Sequence, residues 1–102
     1  MNALIKNMTI YTNYKGKIDR VNITLIFGDG GGLSTGSFYY LKELNEPLIY
    51  LKNLKKICGV NNVSDIEGSY IRVNHMKAGQ QLKYMQHILY DNLKMNTRGE
   101  LI

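Results

Sequence analysis

Few residues of the 102-residue chain combine a reactive side chain with the spacing that catalysis requires. The single cysteine, Cys58, would need a neighbouring histidine to act as a nucleophile. It falls instead on the apolar stripe of a predicted helix, where a small buried residue is expected. Asp65 and Glu67 form a close carboxylate pair, but Ser64-Asp65-Ile66-Glu67 has the spacing of a helix capping box. We therefore expect a protein that is not an enzyme.

The two histidines, His75 and His87, are the other residues that could bind a metal. In the hairpin predicted below they lie on opposite faces, and no second cysteine or cluster of carboxylates completes a ligand set. The sequence therefore predicts no metal site and no cofactor.

A glycine cluster from Gly28 to Gly36 could hold a phosphate group through its backbone N–H groups. It lacks the lysine of a phosphate-binding P-loop, and no helix follows whose N-terminus could assist. A hairpin connection in which glycine supplies a positive φ is the favoured interpretation, with a nucleotide site as the alternative. The possible ligand residues of this loop are Gly30, Gly31, Gly32 and Ser34.

The remaining candidate is a binding surface that combines tyrosine with positive charge. Tyrosine and arginine are enriched at protein interfaces, and the same mixture could stack on and neutralise a single nucleic-acid strand. One face of the predicted C-terminal hairpin carries such residues, and a row of helix lysines is expected to border it. The candidate partner-binding residues are Tyr70, Arg72, Asn74, Lys83, His87, Lys52 and Lys56.

The N-terminal part of the chain, residues 5–40, must form the first strands of the fold. Its apolar residues alternate with polar ones between glycine and asparagine turns, which predicts a three-stranded antiparallel meander. An outer strand such as Ile5 to Thr12 could pair with a copy of itself, so a homo-oligomer is possible.

A helix is predicted over residues 46–58. Asn45 is a suitable N-cap, Pro47 is tolerated in the first turn, and Gly59 fits the left-handed C-cap position. The stripe expected to face the sheet consists of Leu48, Leu51, Leu54 or Lys55, and Cys58.

The third element is a hairpin over residues 69–90, with a loop at Ala78 and Gly79. That loop makes Ile71 face Gln86 and Val73 face Tyr84, which puts Tyr84 and Ile88 on the core side and Met85 and His87 on the other. The tail over residues 92–102 is predicted to be frayed.

Together these elements predict one α+β domain over residues 1–102, with one antiparallel sheet of about five strands and a single main helix packed on one face. The length allows one modest core, and the 44% apolar content is enough to form it. The expected core residues are Val21, Ile23, Leu25, Phe27, Leu48, Leu51, Leu54, Ile71, Val73 and Ile88.

Bulk composition limits the class of protein further. The formal net charge of +5 permits an acidic or nucleic-acid partner, but the basic residues are spread along the chain. A lone cysteine cannot form an internal disulfide, and no apolar run approaches the roughly 20 residues of a membrane helix. We therefore expect a cytoplasmic protein without membrane contact.

Several runs of the sequence, taken in order, resemble a family of small uncharacterised proteins encoded by bacterial phages and prophages. These runs are Ile23 to Gly32, Leu54 to Val60, Val63 to Val73 and His87 to Asp91. The resemblance implies an origin in a mobile element and an anti-defence role, either by occupying a host defence protein or by sequestering a nucleotide signal.

The expected function is a non-catalytic phage protein that inhibits a bacterial defence system by direct protein contact in the host cytoplasm. We expect the inhibited defence system to be CRISPR–Cas, which would make the chain an anti-CRISPR inhibitor. The alternatives are a nucleic-acid-binding phage accessory protein and a sponge for nucleotide signals.

Overall fold

The structure is a computed structural model that describes residues 1–27, 36–38, 47–74 and 82–102. Within these ranges the chain forms one α-helix and one antiparallel sheet of six strands in the order β3-β2-β1-β4-β5-β6. This confirms the predicted α+β class. The elements are β1 (Asn2–Thr12), β2 (Ile18–Phe27), β3 (Gly36–Phe38), α1 (Pro47–Cys58), a 3₁₀ turn (Val63–Asp65), β4 (Tyr70–Val73), β5 (Tyr84–Gln86) and β6 (Lys94–Asn96).

The core lies between α1 and one face of the sheet, as expected for a sheet with alternating apolar residues. The helix packs against β2, β4 and β6. The fully or nearly fully buried strand residues include Ala3, Ile5, Val21, Ile23, Leu25, Ile71, Val73, Met85 and Met95.

The side of the helix that faces the sheet differs from the predicted stripe. Leu48 is 70% exposed, so its assignment to the core was wrong. Tyr50 and Ile57 are buried in its place, beside the predicted Leu51 and Leu54. The reason is a rotation of the stripe toward the 50, 54, 57 series, which also has helical spacing.

The C-terminal end of α1 has the predicted cap. Gly59 has φ +70°, its N–H donates to the Lys56 carbonyl at 3.2 Å, and the Val60 N–H donates to the Lys55 carbonyl at 3.0 Å. These two bonds satisfy carbonyl groups that the helix leaves open, which is the Schellman arrangement. The predicted N-cap, Asn45, lies outside the described residues.

The predicted hairpin register was wrong by one residue. Val73 faces Met85 and Arg72 faces Gln86, so Met85 is buried and Tyr84 is on the other face. A slip of one residue exchanges the two faces of a strand. The Asn74 side chain contributes to this register, because its Oδ1 accepts the Lys83 N–H at 2.7 Å and so bridges the two strands before the loop. Ala78 and Gly79 lie outside the described residues.

The predicted capping box does not form. Its N-cap would be Ser64, which lies inside the 3₁₀ turn Val63–Asp65 instead of before it. Glu67 instead reaches β1, where its Oε1 accepts the Met8 N–H at 2.6 Å. The reason is that the turn is a single 3₁₀ turn packed beside a strand with a free amide, rather than the first turn of a longer helix.

The tail predicted to be frayed is part of the fold. It contains β6, whose Met95 is fully buried, and it ends with Ile102 donating its N–H to the Lys94 carbonyl at 2.9 Å. The packing of Met95 into the core explains why this segment is ordered, since burial of a Met side chain stabilises by about 1.5–3 kcal/mol.

Two hairpin turns of the chain have the same design. Asn13-Tyr14-Lys15-Gly16-Lys17 joins β1 to β2, and Asn96-Thr97-Arg98-Gly99-Glu100 follows β6. In each, the asparagine Oδ1 accepts the backbone N–H groups two and four residues later, at 2.9–3.1 Å. Each glycine has a positive φ, +76° at Gly16 and +86° at Gly99.

No helix in the described ranges is long and apolar enough to cross a membrane.

Candidate partner-binding surface

The face of β4–β6 that points away from α1 carries a mixture of tyrosine, cations and amides. Cross-strand pairing aligns Arg72 with Gln86 and Gln86 with Lys94, so these three side chains form one line across the strands. We call this surface the outer face, and its residues are Tyr70, Arg72, Tyr84, Gln86 and Lys94.

Arg72 is engaged by the chain itself. Its Nε donates to the His87 carbonyl at 2.9 Å, and its Nη2 lies 2.7 Å from Asp91 Oδ1 in an ion pair that is not aligned as a hydrogen bond. The Arg72 side chain is 29% exposed, so much of its charge is turned toward these two groups. It is therefore held in one orientation beside the loop after β5.

Lys94, the second cation of the outer face, also has an internal partner. Its Nζ lies 3.9 Å from the centre of the Tyr84 ring, on the neighbouring strand and diagonal to Lys94, because Tyr84 itself pairs with Asn96. Such a cation–π contact stabilises by about 0.5–1 kcal/mol at an exposed site. The contact fixes the Tyr84 ring against the sheet and places the lysine charge over it.

The loop after β5, residues 87–93, is held beside the outer face. Gln86 Nε2 donates to the Asp91 carbonyl at 2.9 Å, and the His87 N–H donates to the Leu93 carbonyl at 2.8 Å. The loop presents Leu89, 74% exposed, and Tyr90, 56% exposed. Tyr70 of the outer face is 59% exposed. The loop and the outer face thus offer exposed apolar and aromatic surface together.

His87 does not lie on the exposed face where the predicted register placed it. The residue is buried, and its Nδ1 accepts the N–H groups of Leu89 at 3.0 Å and Tyr90 at 3.2 Å. Its ring packs against the Tyr90 ring, with 4.6 Å between centroids. The physical reason is that the turn after β5 has two amides to satisfy, and the imidazole satisfies both.

The other predicted contact residues do not form one surface. Asn74 is engaged in the hairpin described above, while Lys83 is exposed next to it. Lys52 and Lys56 are exposed on the solvent side of α1, opposite the buried side that covers the core. The sheet therefore lies between these lysines and Tyr70, and the expectation that they border the hairpin face was wrong.

Cys58 has the properties of a packed thiol rather than a nucleophile. Burial raises its pKa from 9.0 to about 11, and a hydrogen bond with Ser69 opposes this only in part. At neutral pH the side chain is a neutral thiol, and the thiolate is the reactive form.

The loop residues Gly30, Gly31, Gly32 and Ser34 lie outside the described residues, as does His75, so the nucleotide-site alternative stays a prediction. In the part of the chain that the structure describes, no three His, Cys, Asp or Glu side chains come close enough to hold a metal ion.

Sequence reasoning missed five residues of the outer face and its loop: Tyr84, Gln86, Lys94, Leu89 and Tyr90. The register error placed Tyr84 in the core and Gln86 opposite Ile71, and Lys94 belonged to the tail expected to be frayed. A signal was available for the loop pair, because Leu89-Tyr90-Asp91-Asn92 ends a strand with two polar turn residues and would leave its apolar residues outside the sheet.

Comparison with known proteins gives no relatives for this chain. No protein-family model matches it. No curated protein and no solved structure matches it either.

Proposed function

We propose that the chain is a non-catalytic binding protein that contacts a protein partner through the outer face and the adjoining loop. One observation carries this proposal. Arg72 and Lys94 already have partners within the chain, whereas Tyr70, Leu89 and Tyr90 beside them are exposed.

The state of the two cations favours a protein partner over a nucleic acid at this surface. Binding to phosphates requires cations that are free to replace condensed counterions. Arg72 is paired with Asp91 and Lys94 lies over Tyr84. What remains accessible is tyrosine, leucine and amide surface, and tyrosine is the residue that protein-binding paratopes use most for contact area.

The loop also supports the proposal because its shape is set before any partner arrives. His87 Nδ1 holds the amides of Leu89 and Tyr90, and Gln86 holds the Asp91 carbonyl. A surface that is ordered in the free protein loses less conformational entropy on binding, at about 0.5–1.5 kcal/mol per side chain otherwise immobilised.

We propose further that the partner is a bacterial defence protein, with a CRISPR–Cas effector first, and that the chain inhibits it in the host cytoplasm. The support for this step is the resemblance of several sequence runs to phage and prophage proteins. An inhibitor of this kind needs no catalytic residues, because it acts by covering a surface of its target.

A plaque assay tests the anti-CRISPR step. Bacteria whose CRISPR–Cas system targets a phage are infected with and without expression of the chain. We expect expression to restore plaque formation, and the triple variant Tyr70→Ala, Leu89→Ala, Tyr90→Ala to lose that effect. The matched control, Lys52→Ala with Lys56→Ala, should behave like the wild type. Unchanged immunity across effector types would contradict the proposal.

Nucleic-acid binding is the second candidate, and the exposed Lys52, Lys56 and Lys83 favour it because the structure gives them no ion pair among the described residues. It requires binding to DNA or RNA that weakens steeply with salt. Filter binding at low salt separates the two candidates. A nucleotide sponge would instead show a rise in melting temperature with a cyclic or ADP-ribose-type nucleotide.

A further inference from the structure

The strand β1 is longer than the segment that covers its second edge. On the side away from β2, Val73 bonds to Met1, and Ser69 and Gly68 bond to Ile5. The Glu67 carboxylate then accepts a hydrogen bond from the Met8 N–H at 2.6 Å. Among the described residues, this is the last hydrogen bond along that edge of β1. β1 continues for another four residues, to Thr12.

The backbone of these last residues is paired on one side only. The Met8 N–H points away from β2, because it bonds to Glu67, and strand groups alternate in direction with a period of two residues. Ile10 and Thr12 therefore direct their N–H and C=O groups away from β2 as well. Among the described residues none pairs with them there. We call Met8 to Thr12 the open edge.

We propose that two copies of the chain associate by antiparallel pairing of their open edges. Around a two-fold axis at Ile10, the two Ile10 residues exchange N–H and C=O bonds. The Thr12 N–H of each copy then donates to the Met8 carbonyl of the other. The Thr12 carbonyl takes the place of Glu67 Oε1 at the Met8 N–H of the other copy, because both acceptors approach that N–H from the same side. The Glu67 carboxylate is thereby released, and the pairing ends at Met8 because Gly68 and Ser69 cover the edge beyond it.

The side chains at the open edge favour a second copy as the occupant. Ile10 is 36% exposed, and self-pairing would place it directly against its counterpart. The turn of one copy, with exposed Lys15 and Lys17, follows the Thr12 that pairs with Met8, and so would end beside the exposed Glu67 of the other copy, which lies at Met8. Because of the two-fold axis, this contact between lysines and a carboxylate forms twice in the dimer. It therefore favours this register of strand pairing over registers in which the charges lie apart.

The test is the molar mass of the full chain in solution as a function of concentration, measured by sedimentation. We expect a reversible dimer for the wild type and a monomer for Ile10→Pro. The proline removes only an outward N–H, so the β1–β2 ladder keeps its bonds, and circular dichroism checks that the variant folds. A wild type that stays monomeric overturns the proposal, as does a dimer that survives in folded Ile10→Pro.

A second pair of variants does not depend on tolerance of proline. Lys15→Glu with Lys17→Glu should raise the dimer dissociation constant by about tenfold. Lys52→Glu with Lys56→Glu makes the same change of charge on the solvent side of α1 and should leave the dissociation constant unchanged. Equal effects of the two double variants would overturn the proposal, because net charge alone would then explain them.

Discussion

A surface side chain is available to a partner only if the chain's own groups do not already hold it. Arg72 and Tyr70 are neighbours on β4, yet the guanidinium is engaged by His87 and Asp91 while the tyrosine is 59% exposed. His87 is the extreme case, since its ring is buried and satisfies two amides. The residue type alone therefore does not show which side chains are accessible to a partner. The hydrogen bonds and ion pairs within the chain show which side chains are already engaged.

Cys58 gives a prediction at the residue scale. Its pKa of about 11 leaves roughly 100-fold less thiolate at about pH 8 than an ordinary thiol of pKa 9.0 would have. Alkylation by iodoacetamide should therefore be about 100-fold slower in the native protein than in urea, and mass spectrometry measures the rate. Equal rates in the two states would show that the thiol is not buried as described.

The same pKa shift makes stability depend on pH in the alkaline range. The native state keeps the Cys58 proton between about pH 9 and about pH 11, where the unfolded state loses it. Stability from this group is thus complete below about pH 9 and falls as the pH rises toward 11. We expect the unfolding free energy of the wild type to fall more steeply over this range than that of Cys58→Ser.

At the element scale, the two asparagine–glycine turns have the same local geometry but differ in how they pack against the rest of the fold. Gly16 and Gly99 share the same hydrogen-bond pattern and a positive φ. The surroundings differ, because a Cβ on Gly16 would meet no atom within 4 Å, whereas a Cβ on Gly99 would collide with the Tyr50 ring. The Gly99 carbonyl also accepts Asn53 Nδ2 at 2.6 Å, so the second turn is docked on α1.

This pair predicts different costs for one substitution. Gly16→Ala should lower the free energy of unfolding by about 1 kcal/mol, the strain of a positive φ. Gly99→Ala should lower it by about 3 kcal/mol or more, because displacement of Tyr50 is added to the same strain. Urea denaturation measures both, and equal losses would mean that the second turn does not pack on the helix.

The helix and the first strands could be predicted from the sequence because their signals are local. Alternating residues identify the buried side of β2, and Gly59 ends α1 through its positive φ. The predicted stripe missed Tyr50 and Ile57, since several apolar positions of α1 have helical spacing and only the packed sheet selects among them.

The candidate surface was harder to predict because it depends on register. Tyr70 and Arg72 were placed on the correct face, but a slip of one residue put Tyr84 in the core. The position of Lys94 depended on the burial of Met95, which is a contact between distant parts of the chain. Neither fact has a local signature in the sequence.

At the scale of the whole molecule, the fold separates three chemically different surfaces. The outer face and its loop carry exposed tyrosine and leucine, the solvent side of α1 carries Lys52 and Lys56, and the open edge offers the outward N–H and C=O groups of Ile10 and Thr12. The net charge of +5 is therefore poor evidence about the outer face, where both cations have internal partners. Each surface can be changed without touching the other two.

The most direct measurement is quantitative mass spectrometry of proteins retained by the tagged chain from nuclease-treated bacterial lysate. Three baits are compared: the wild type, the triple variant Tyr70→Ala, Leu89→Ala, Tyr90→Ala, and the control Lys52→Ala with Lys56→Ala. We predict a protein retained by the wild type and the control but lost from the triple variant by about tenfold or more. Equal retention by all three baits, or retention abolished by nuclease, would contradict a protein partner on the outer face.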